Sequence, residues 1–176
     1  IATTLISMYA KCCLFSKAQE LLENLHIQDV VSWNALIAGY IKQDHAHEAI
    51  RCFENMKKEG HVPNQVTFIC ILKACGLARD RCKGQQIHEE IERKGFLMML
   101  EKEVNDNVVV LGTSLVDMYV KCGMLPKARK VLEELSFRDV VSWNALIAGY
   151  AEWEQGHEAL NCFEQMQSEG ISPNAV

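Results

Sequence analysis

An internal repeat constrains the fold of this chain more than any other feature of its sequence. The residues Asp29–Tyr40, DVVSWNALIAGY, return unaltered as Asp139–Tyr150, and the agreement continues on both sides at the same offset. Downstream, Cys52-Phe53-Glu54 matches Cys162-Phe163-Glu164. A fixed offset that spans several unlike helical segments is typical of an array, in which each unit packs mainly on its neighbours. The repeat therefore predicts a solenoid.

Apolar residues recur with helical spacing in the first unit. Leu5, Met8 and Tyr9 share the buried face of one helix, which ends near Lys11. A second helix is predicted from about Ser16, which we interpret as its N-cap. The unit is therefore expected to be a helical hairpin.

The second unit shows the same organisation. Ser32 is expected to cap a helix whose buried face carries Leu36, Gly39 and Tyr40, and Gly39 would let a neighbouring helix approach closely. In the following helix Ala49, Phe53 and Met56 form the apolar stripe. Gly60 is expected to end that helix.

The register of the repeat divides the chain into units of three alternating types. Leu97–Val108 is the one irregular segment, about nine residues longer than the neighbouring units allow, and we interpret it as an extended helix end or a loop. The chain starts and stops within a repeat, which indicates a fragment. The predicted units are residues 1–29, truncated at the N-terminus, then 30–64, 65–108, 109–139 and 140–174, with 175–176 beginning a further truncated unit.

Composition limits the possible functions. The formal net charge of -5 counts modestly against non-specific nucleic-acid binding, which depends on basic residues to neutralise phosphates. Cysteines recur at equivalent places, Cys12 with Cys122 and Cys52 with Cys162, which favours reduced core residues over disulfides. The absence of a Cys-x-x-Cys pair argues against a zinc site. No apolar run approaches the length of a membrane span.

These units resemble the plant pentatricopeptide repeat proteins, specifically the subgroup that alternates P, L and S motifs. The resemblance covers about five motifs. It rests on VVSWNALIAGY with EAIRCFENMKKEGHVPN for P, on VTFICILKACG with GQQIH and KGF for L, and on TSLVDMYVKCG with ARKVLEELSFRD for S. It implies an all-α, right-handed superhelical solenoid of helix-turn-helix repeats. Units 1–29 and 109–139 are then S-like, units 30–64 and 140–174 are P-like, and unit 65–108 is L-like.

The resemblance also implies that the chain binds single-stranded RNA with one base per repeat. In this family the fifth and last residues of each motif select the base. Those positions hold Thr3 with Asp29, Asn34 with Asn64, Thr113 with Asp139, and Asn144 with Asn174. Thr/Asp resembles a guanine reader, and Asn/Asn resembles a pyrimidine reader that prefers cytosine to uracil.

The L-like unit departs from this code. Its fifth residue is Ile69, which has no hydrogen-bonding group, and its last residue is Val108 or Asn107, depending on where the extra residues are placed. We therefore assign it no base. With the parallel polarity of the family, the expected RNA sequence is 5′-G, pyrimidine, unassigned, G, pyrimidine-3′.

Two further sets of residues are candidate RNA contacts. Val31, Val110 and Val141, at the second motif position, could wedge against bases as in the family, or could only pack between repeats. Lys11, Lys42 and Lys121, at the thirteenth position, are candidate phosphate contacts, or simply solvated surface. Glu152 interrupts the lysine row.

Other residues have a structural alternative to a functional role. Asn34 and Asn144 could instead cap or bridge within the scaffold. Trp33 and Trp143 could stack on bases, but their recurrence beside the core stripe favours packing. His88-Glu89-Glu90 contains the His-x-Glu half of a zinc deaminase signature, but the Pro-Cys-x-x-Cys half is missing, which favours a structural role for His88.

The resemblance thus implies the target-recognition part of a cytidine-to-uridine RNA editing factor in a mitochondrion or chloroplast. This part would have no catalysis, no cofactor and no metal. The deaminase domain would follow Val176 in the parent chain or act in trans. Small editing-factor proteins could bind through the L-like unit. The rival hypothesis is a helical-repeat scaffold for protein interactions, motivated by the acidic charge and the codeless L-like unit.

Overall fold

The computed structural model of the chain describes residues 2–24, 29–97 and 106–173. In these ranges it contains ten α-helices and no strand, so the predicted all-α fold of helical hairpins is confirmed. The helices form two compact units, Ile1–Ala78 and Arg79–Val176. Part of the irregular segment, residues 98–105, lies outside the described residues.

The first unit contains five helices. Each hairpin packs its first helix on its second helix and on the first helix of the next hairpin, so that α1 contacts α2 and α3, and α3 contacts α4 and α5. The bounds are α1 Ala2–Lys11, α2 Phe15–Glu23, α3 Val30–Lys42, α4 Ala46–Lys58 and α5 Gln65–Ala78.

The second unit repeats this arrangement. Helix α7 contacts α6, α8 and α9, and α9 in turn packs on α10. The bounds are α6 Arg81–Arg93, α7 Asp106–Lys121, α8 Leu125–Glu134, α9 Val140–Glu152 and α10 Gly156–Ser168. Helix α7 begins three residues before the predicted boundary at residue 109.

Aspartate residues cap α3 and α9. The Asp29 carboxylate accepts a hydrogen bond from the backbone N–H of Ser32 at 2.7 Å, and Asp139 accepts from Ser142 at 2.8 Å. Ser142 completes a capping box, because its Oγ accepts from the backbone N–H of Asp139 at 3.1 Å. The prediction that Ser32 is the N-cap was therefore wrong. Asp29 is the residue with extended backbone that precedes the helix, and Ser32 lies three residues inside it.

The turn between the two helices of a hairpin has a recurring form. Cys13 adopts a positive φ of 59°, and the N–H of Leu14 donates to the carbonyl of Tyr9 at 2.9 Å, as in a Schellman motif. Because this turn reverses the chain within three residues, α2 starts at Phe15, and the predicted N-cap role of Ser16 was wrong. The same bond joins His45 to Tyr40, Met124 to Tyr119 and Gln155 to Tyr150.

The helical faces predicted for the second hairpin are buried. Leu36, Ala49, Phe53 and Met56 are fully inaccessible, and Gly60 ends α4 with a φ of 85°. The close approach at Gly39 is also confirmed: a Cβ atom there would overlap the Cβ of Ala10 in α1. Gly149 repeats the contact, with Val120 of α7 in place of Ala10.

The predicted face of α1 was wrong. Leu5 and Met8 are 37% and 44% exposed, and Ile6 and Ala10 are buried instead. Their counterparts in α7 are buried, because α6 covers that face and brings Gly84 against the sulfur of Met118. No helix precedes α1 within the described residues to cover the equivalent surface.

The recurring cysteines also differ in burial between the first hairpin and the later ones. Cys52, Cys122 and Cys162 are buried, and burial raises the pKa of the Cys52 thiol to about 12. Cys12 is exposed, so the expected core role was wrong for this residue. None of the helices within the described ranges has the length and apolar content needed to cross a membrane.

Candidate nucleic-acid interface

The predicted pair Asn34 and Asn64 lies together in the structure. Asn34 is the fifth residue of α3, and Asn64 immediately precedes α5. The Nδ2 of Asn34 donates to Oδ1 of Asn64 at 3.3 Å. Asn64 is exposed, and Asn34 is 8% exposed. The buried fifth residue of this unit thus contacts the last residue, which is on the surface.

Thr67, the third residue of the next unit, forms hydrogen bonds with both residues of this pair. Its Oγ1 donates to Oδ1 of Asn34 at 2.7 Å and accepts from the N–H of Asn64 at 3.2 Å. Its own N–H donates to Oδ1 of Asn64 at 3.0 Å, which makes Asn64 the cap of α5. Thr67 is fully buried, so its hydroxyl acts inside the protein and not at the surface.

Thr3 and Asp29 meet through Ser32. The hydroxyl oxygens of Thr3 and Ser32 lie 3.0 Å apart, while the Asp29 carboxylate accepts from the Ser32 backbone. Hydrogen bonding by Ser32 holds the pKa of Asp29 below its usual range. Thr3 is half-buried and Asp29 is exposed. The two polar groups are thus oriented by one serine.

Thr113 and Asp139 are not connected in this way within the described residues. The Thr113 hydroxyl donates to the carbonyl of Val109 in its own helix at 3.0 Å. The Ser142 hydroxyl donates to the backbone carbonyl of Asp139 at 2.8 Å. Both predicted readers are half-buried. This S-like pair therefore differs from the first one in its internal bonding.

The remaining code positions are only partly described. Asn144, the fifth residue of α9, is half-buried, and its predicted partner Asn174 lies outside the described residues. Ile69, the fifth residue of the L-like unit, is buried in α5. Asn107 and Val108 lie within α7, but their side chains are outside the described part of the chain.

The second-position valines are large apolar side chains on the surface. Val31, Val110 and Val141 are 60%, 44% and 55% exposed. They lie near the N-terminal ends of α3, α7 and α9, close in sequence to the residues of the polar pairs. The interpretation that they only pack between repeats is therefore disfavoured, because a packing residue would be buried. An apolar ligand surface such as a base could cover them favourably.

The three lysines that are predicted to contact phosphates each end the first helix of a hairpin. Lys11, Lys42 and Lys121 are exposed and are the last residues of α1, α3 and α7. A cation at a helix C-terminus is favourable by itself. Along α3, Val31 and Lys42 are separated by about 16 Å of helix rise and lie on nearly the same face. Lys121 also pairs with Asp117 at 2.8 Å.

The tryptophans pack in the core, as their recurrence favours. Trp33 and Trp143 are 5% and 1% exposed, so they offer no stacking platform. Their indole N–H groups are buried without an acceptor among the described residues.

Sequence reasoning missed the third-position hydroxyls Thr67 and Ser142, and it gave the equivalent Ser32 the wrong role, that of the N-cap itself. Each follows an Asp or Asn by three residues, as Asp29-x-x-Ser32, Asn64-x-x-Thr67 and Asp139-x-x-Ser142. This spacing is a capping signal, and it could have shown that the last residue of each motif also caps the next helix.

His88 has a structural setting. Its Nδ1 lies 2.8 Å from the hydroxyl of Tyr119, beside a cavity of about 200 Å³ that is also lined by Glu92, Lys127 and Glu134. Burial lowers the pKa of His88, which favours the neutral ring. No group of three or more His, Cys, Asp or Glu in the described ranges could hold a metal ion.

Comparison with known proteins identifies the repeats. The profile of the PPR repeat family matches residues 28–76 and 138–176, and that of the PPR repeat matches 1–27 and 113–140. CRR2, a chloroplastic pentatricopeptide repeat-containing protein of Arabidopsis thaliana, is 36% identical over the whole chain, which covers 26% of CRR2. A mitochondrial pentatricopeptide repeat-containing protein of Arabidopsis thaliana is 34% identical over 99% of the chain, which covers 26% of that relative.

A solved structure shows the same fold. The pentatricopeptide repeat protein PPR10 of maize, in complex with an 18-nt psaJ RNA element, superposes with a TM-score of 0.75 at 21% identity. The match covers 99% of this chain and 26% of PPR10. The chain spans about a quarter of the length of the curated relatives it matches. With its profile matches and its helical-hairpin fold, the chain belongs to the pentatricopeptide repeat family.

Proposed function

We propose that this chain binds single-stranded RNA in a sequence-specific way, through one polar pair per readable repeat. The observation that carries the proposal is the direct contact between Asn34 and Asn64, the fifth and last residues of one unit. Family membership supports it, as does the fold shared with PPR10, which was solved in complex with an RNA element.

The chemistry of the pairs suits Watson–Crick edges. A carboxylate such as Asp139 only accepts hydrogen bonds, and guanine offers two donors, N1–H and the amino group, on one edge. The Asn34 and Asn64 amides supply donors for the acceptor atoms of a pyrimidine. A wrong base leaves polar groups unpaired, which costs more than the correct pair gains.

The proposed target follows from the order of the units. Thr3 with Asp29 reads guanine, Asn34 with Asn64 reads a pyrimidine, unit 65–108 reads no base, and the last two units repeat guanine and pyrimidine. The exposed valines would press on the bases, and the terminal lysines would contact phosphates.

Exchange of one pair tests this reading. Asn34→Thr with Asn64→Asp recreates the Thr/Asp pair in the second unit, so preference at the second nucleotide should move from pyrimidine to guanine. We expect the guanine-to-cytosine affinity ratio to rise by about tenfold or more, since one mispaired buried group costs about 1–3 kcal/mol. Fluorescence anisotropy with five-nucleotide RNAs that differ only at that place gives the ratio.

The matched control changes the RNA at the fourth nucleotide, read by Thr113 and Asp139. The exchanged protein and the wild type should show the same preference there. Equal affinities of the wild type for all these RNAs would refute base reading.

We further propose that the parent protein is an organellar editing factor of the subgroup with P, L and S motifs. This chain would recognise the RNA site of cytidine-to-uridine editing, in a mitochondrion or chloroplast, without catalysing the reaction. The deaminase would lie beyond Val176 or act in trans. The Arabidopsis thaliana relatives described as chloroplastic or mitochondrial support the location.

A second candidate function is a scaffold for protein partners. The observation that favours it is the buried, apolar Ile69, which leaves the L-like unit without a base-reading group. Small editing-factor proteins could bind through this unit. A pure scaffold would be insensitive to the Asn34→Thr and Asn64→Asp exchange, whereas an RNA reader would not.

A further inference from the structure

We infer that Thr67 is a positioning residue that fixes the orientation of the Asn34 amide, and with it the preference for cytosine over uracil. This inference rests on the proposed function. Thr67 is fully buried and follows the readable unit, so it acts on the base only through the pair that it contacts, Asn34 and Asn64.

The backbone determines the orientation of Asn64 first. The N–H of Thr67 is a donor and lies 3.0 Å from one polar atom of the Asn64 side chain. Only the amide oxygen can accept there, so Oδ1 occupies that place. The Nδ2 group of Asn64 therefore takes the other position, on the exposed side chain.

The orientation of Asn34 follows from the same constraints. The Asn34 atom that faces Oδ1 of Asn64 at 3.3 Å must be the donor Nδ2. The Thr67 hydroxyl accepts from the N–H of Asn64, and its one proton has two oxygens within range, Oδ1 of Asn34 at 2.7 Å and Oδ1 of Asn64 at 3.0 Å. The shorter distance assigns the proton to Asn34. A reversed Asn34 amide would place two oxygens against each other.

The fixed orientation decides which groups remain for the base. Asn34 Nδ2 has a second N–H beyond the one that bonds Asn64, and Asn64 adds its own Nδ2 donors. Cytosine has an acceptor at N3, whereas uracil has a donor N–H there. An amide locked with its donors toward the base therefore pairs with cytosine, and a freely turning amide accepts either pyrimidine.

The hydroxyl at the third position does not always contact the fifth residue. Ser32 bonds Thr3, but within the described residues Ser142 bonds only Asp139 while Thr113 bonds its own helix. Whether the third-position hydroxyl orients the fifth residue therefore differs from one pair of neighbouring repeats to the next. The effect of removing the Thr67 hydroxyl can be compared with the effect of removing a buried hydroxyl that contacts no base-reading residue. Ser114 is buried and donates only to Val110 of its own helix at 2.7 Å.

The test compares Thr67→Val, which keeps the shape and removes the hydroxyl, with Thr67→Ser, which keeps the hydroxyl. Affinities for RNAs with cytosine or uracil at the second nucleotide give the discrimination ratio. We expect Thr67→Val to reduce this ratio by about fivefold, the effect of losing one hydrogen bond. Thr67→Ser and the control Ser114→Ala should keep the wild-type ratio.

A measurement without RNA separates this inference from the proposed function. The Nδ2 protons of Asn34, followed by NMR, should exchange slowly with solvent in the wild type and in Thr67→Ser, and should exchange faster in Thr67→Val. If Thr67→Val does not fold, the comparison of wild type with Thr67→Ser still applies, and a rapidly exchanging amide in both overturns the inference.

The outcomes are distinct. A wild type that binds no RNA refutes the proposed function, while the Asn34 signals still decide whether Thr67 positions the amide. A wild type that prefers cytosine, with the same ratio in Thr67→Val, supports the proposed function and overturns the inference.

Discussion

Single residues at the ends of the repeats have two tasks. Asp29, Asn64 and Asp139 hold the predicted base-reading position, and each also accepts a hydrogen bond from the first turn of the following helix. Capping uses one side-chain oxygen and leaves the other polar atom for a ligand. Replacing such a residue with alanine therefore changes stability and binding together, and only a variant that keeps the cap isolates the binding effect.

Asp29 gives a prediction that depends on pH. Its pKa is lowered in the folded protein, so it contributes stability above the unfolded pKa of about 3.9, and this contribution is lost as pH falls through the folded pKa. Asp29→Asn keeps the cap but removes the charge. We expect the wild type to be more stable at pH 7 by at most about 0.5 kcal/mol, because Asp29 is exposed. Urea unfolding should show this difference shrinking as the pH falls below the unfolded pKa of about 3.9, and vanishing once the pH is below the folded pKa of Asp29.

A matched control is Glu59→Gln, which removes an exposed carboxylate at the C-terminal end of α4, where it caps no helix N-terminus. A negative charge at a helix C-terminus is unfavourable, so Glu59→Gln should be no less stable than the wild type at pH 7, whereas Asp29→Asn should be less stable. A difference between Asp29→Asn and the wild type that stays constant with pH would contradict the charge contribution.

The choice between Asp29 and Ser32 shows where residue-level prediction ends. Both are good capping residues three positions apart, and a helix could begin after either one. The Asp-x-x-Ser spacing favours Asp29, and the extended backbone of Asp29 places the cap there. The packing role favoured for Trp33 and Trp143 was confirmed, because a large indole beside an apolar stripe is most easily buried.

At the scale of helices, small residues set how closely neighbouring hairpins pack. Gly39 of α3 lies against Ala10 of α1, so one Cβ fits between the two helices and a second does not. We expect Gly39→Ala to destabilise the first unit by about 1–3 kcal/mol through overpacking. Adding Ala10→Gly returns the junction to one Cβ and should recover part of that loss. Chemical denaturation of both single variants and the double variant gives the coupling energy.

The control for this cycle is Gly156→Ala, at the first position of α10. No atom lies within 4 Å of a Cβ placed there, so this change should be neutral or stabilise the helix by up to about 1 kcal/mol. Additive effects of Gly39→Ala and Ala10→Gly would show that the two helices do not limit each other at this point.

The exposure of Leu5 and Met8 shows what helix-level prediction lacks. The sequence of α1 nearly repeats that of α7, and the spacing gives the same candidate face in both. Burial of that face depends on α6 in the second unit, whereas no described helix precedes α1. A pattern within one helix identifies an apolar face, but the neighbour that covers it belongs to a different repeat.

At the scale of the whole chain, RNA binding must overcome a formal net charge of -5. Attraction to phosphates then depends on a few well-placed cations. The dependence of RNA affinity on salt concentration reports how many phosphates these cations contact. Each phosphate contact with a single strand contributes about 0.7 to the slope of log affinity against log salt. Three lysine contacts would therefore give a slope of about 2, much lower than that of strongly basic proteins.

Lys42 and Lys58 give the sharpest comparison, because both are exposed and both end a helix, α3 and α4 respectively. Lys42 lies on nearly the same face of α3 as Val31, whereas Lys58 belongs to the second helix of the hairpin. We expect Lys42→Ala to weaken RNA binding and to lower the salt slope by about 0.7, and Lys58→Ala to leave the slope unchanged. Anisotropy titrations at several salt concentrations measure both. Equal salt slopes for the two variants would show that the RNA phosphates do not lie along the first helix of each hairpin.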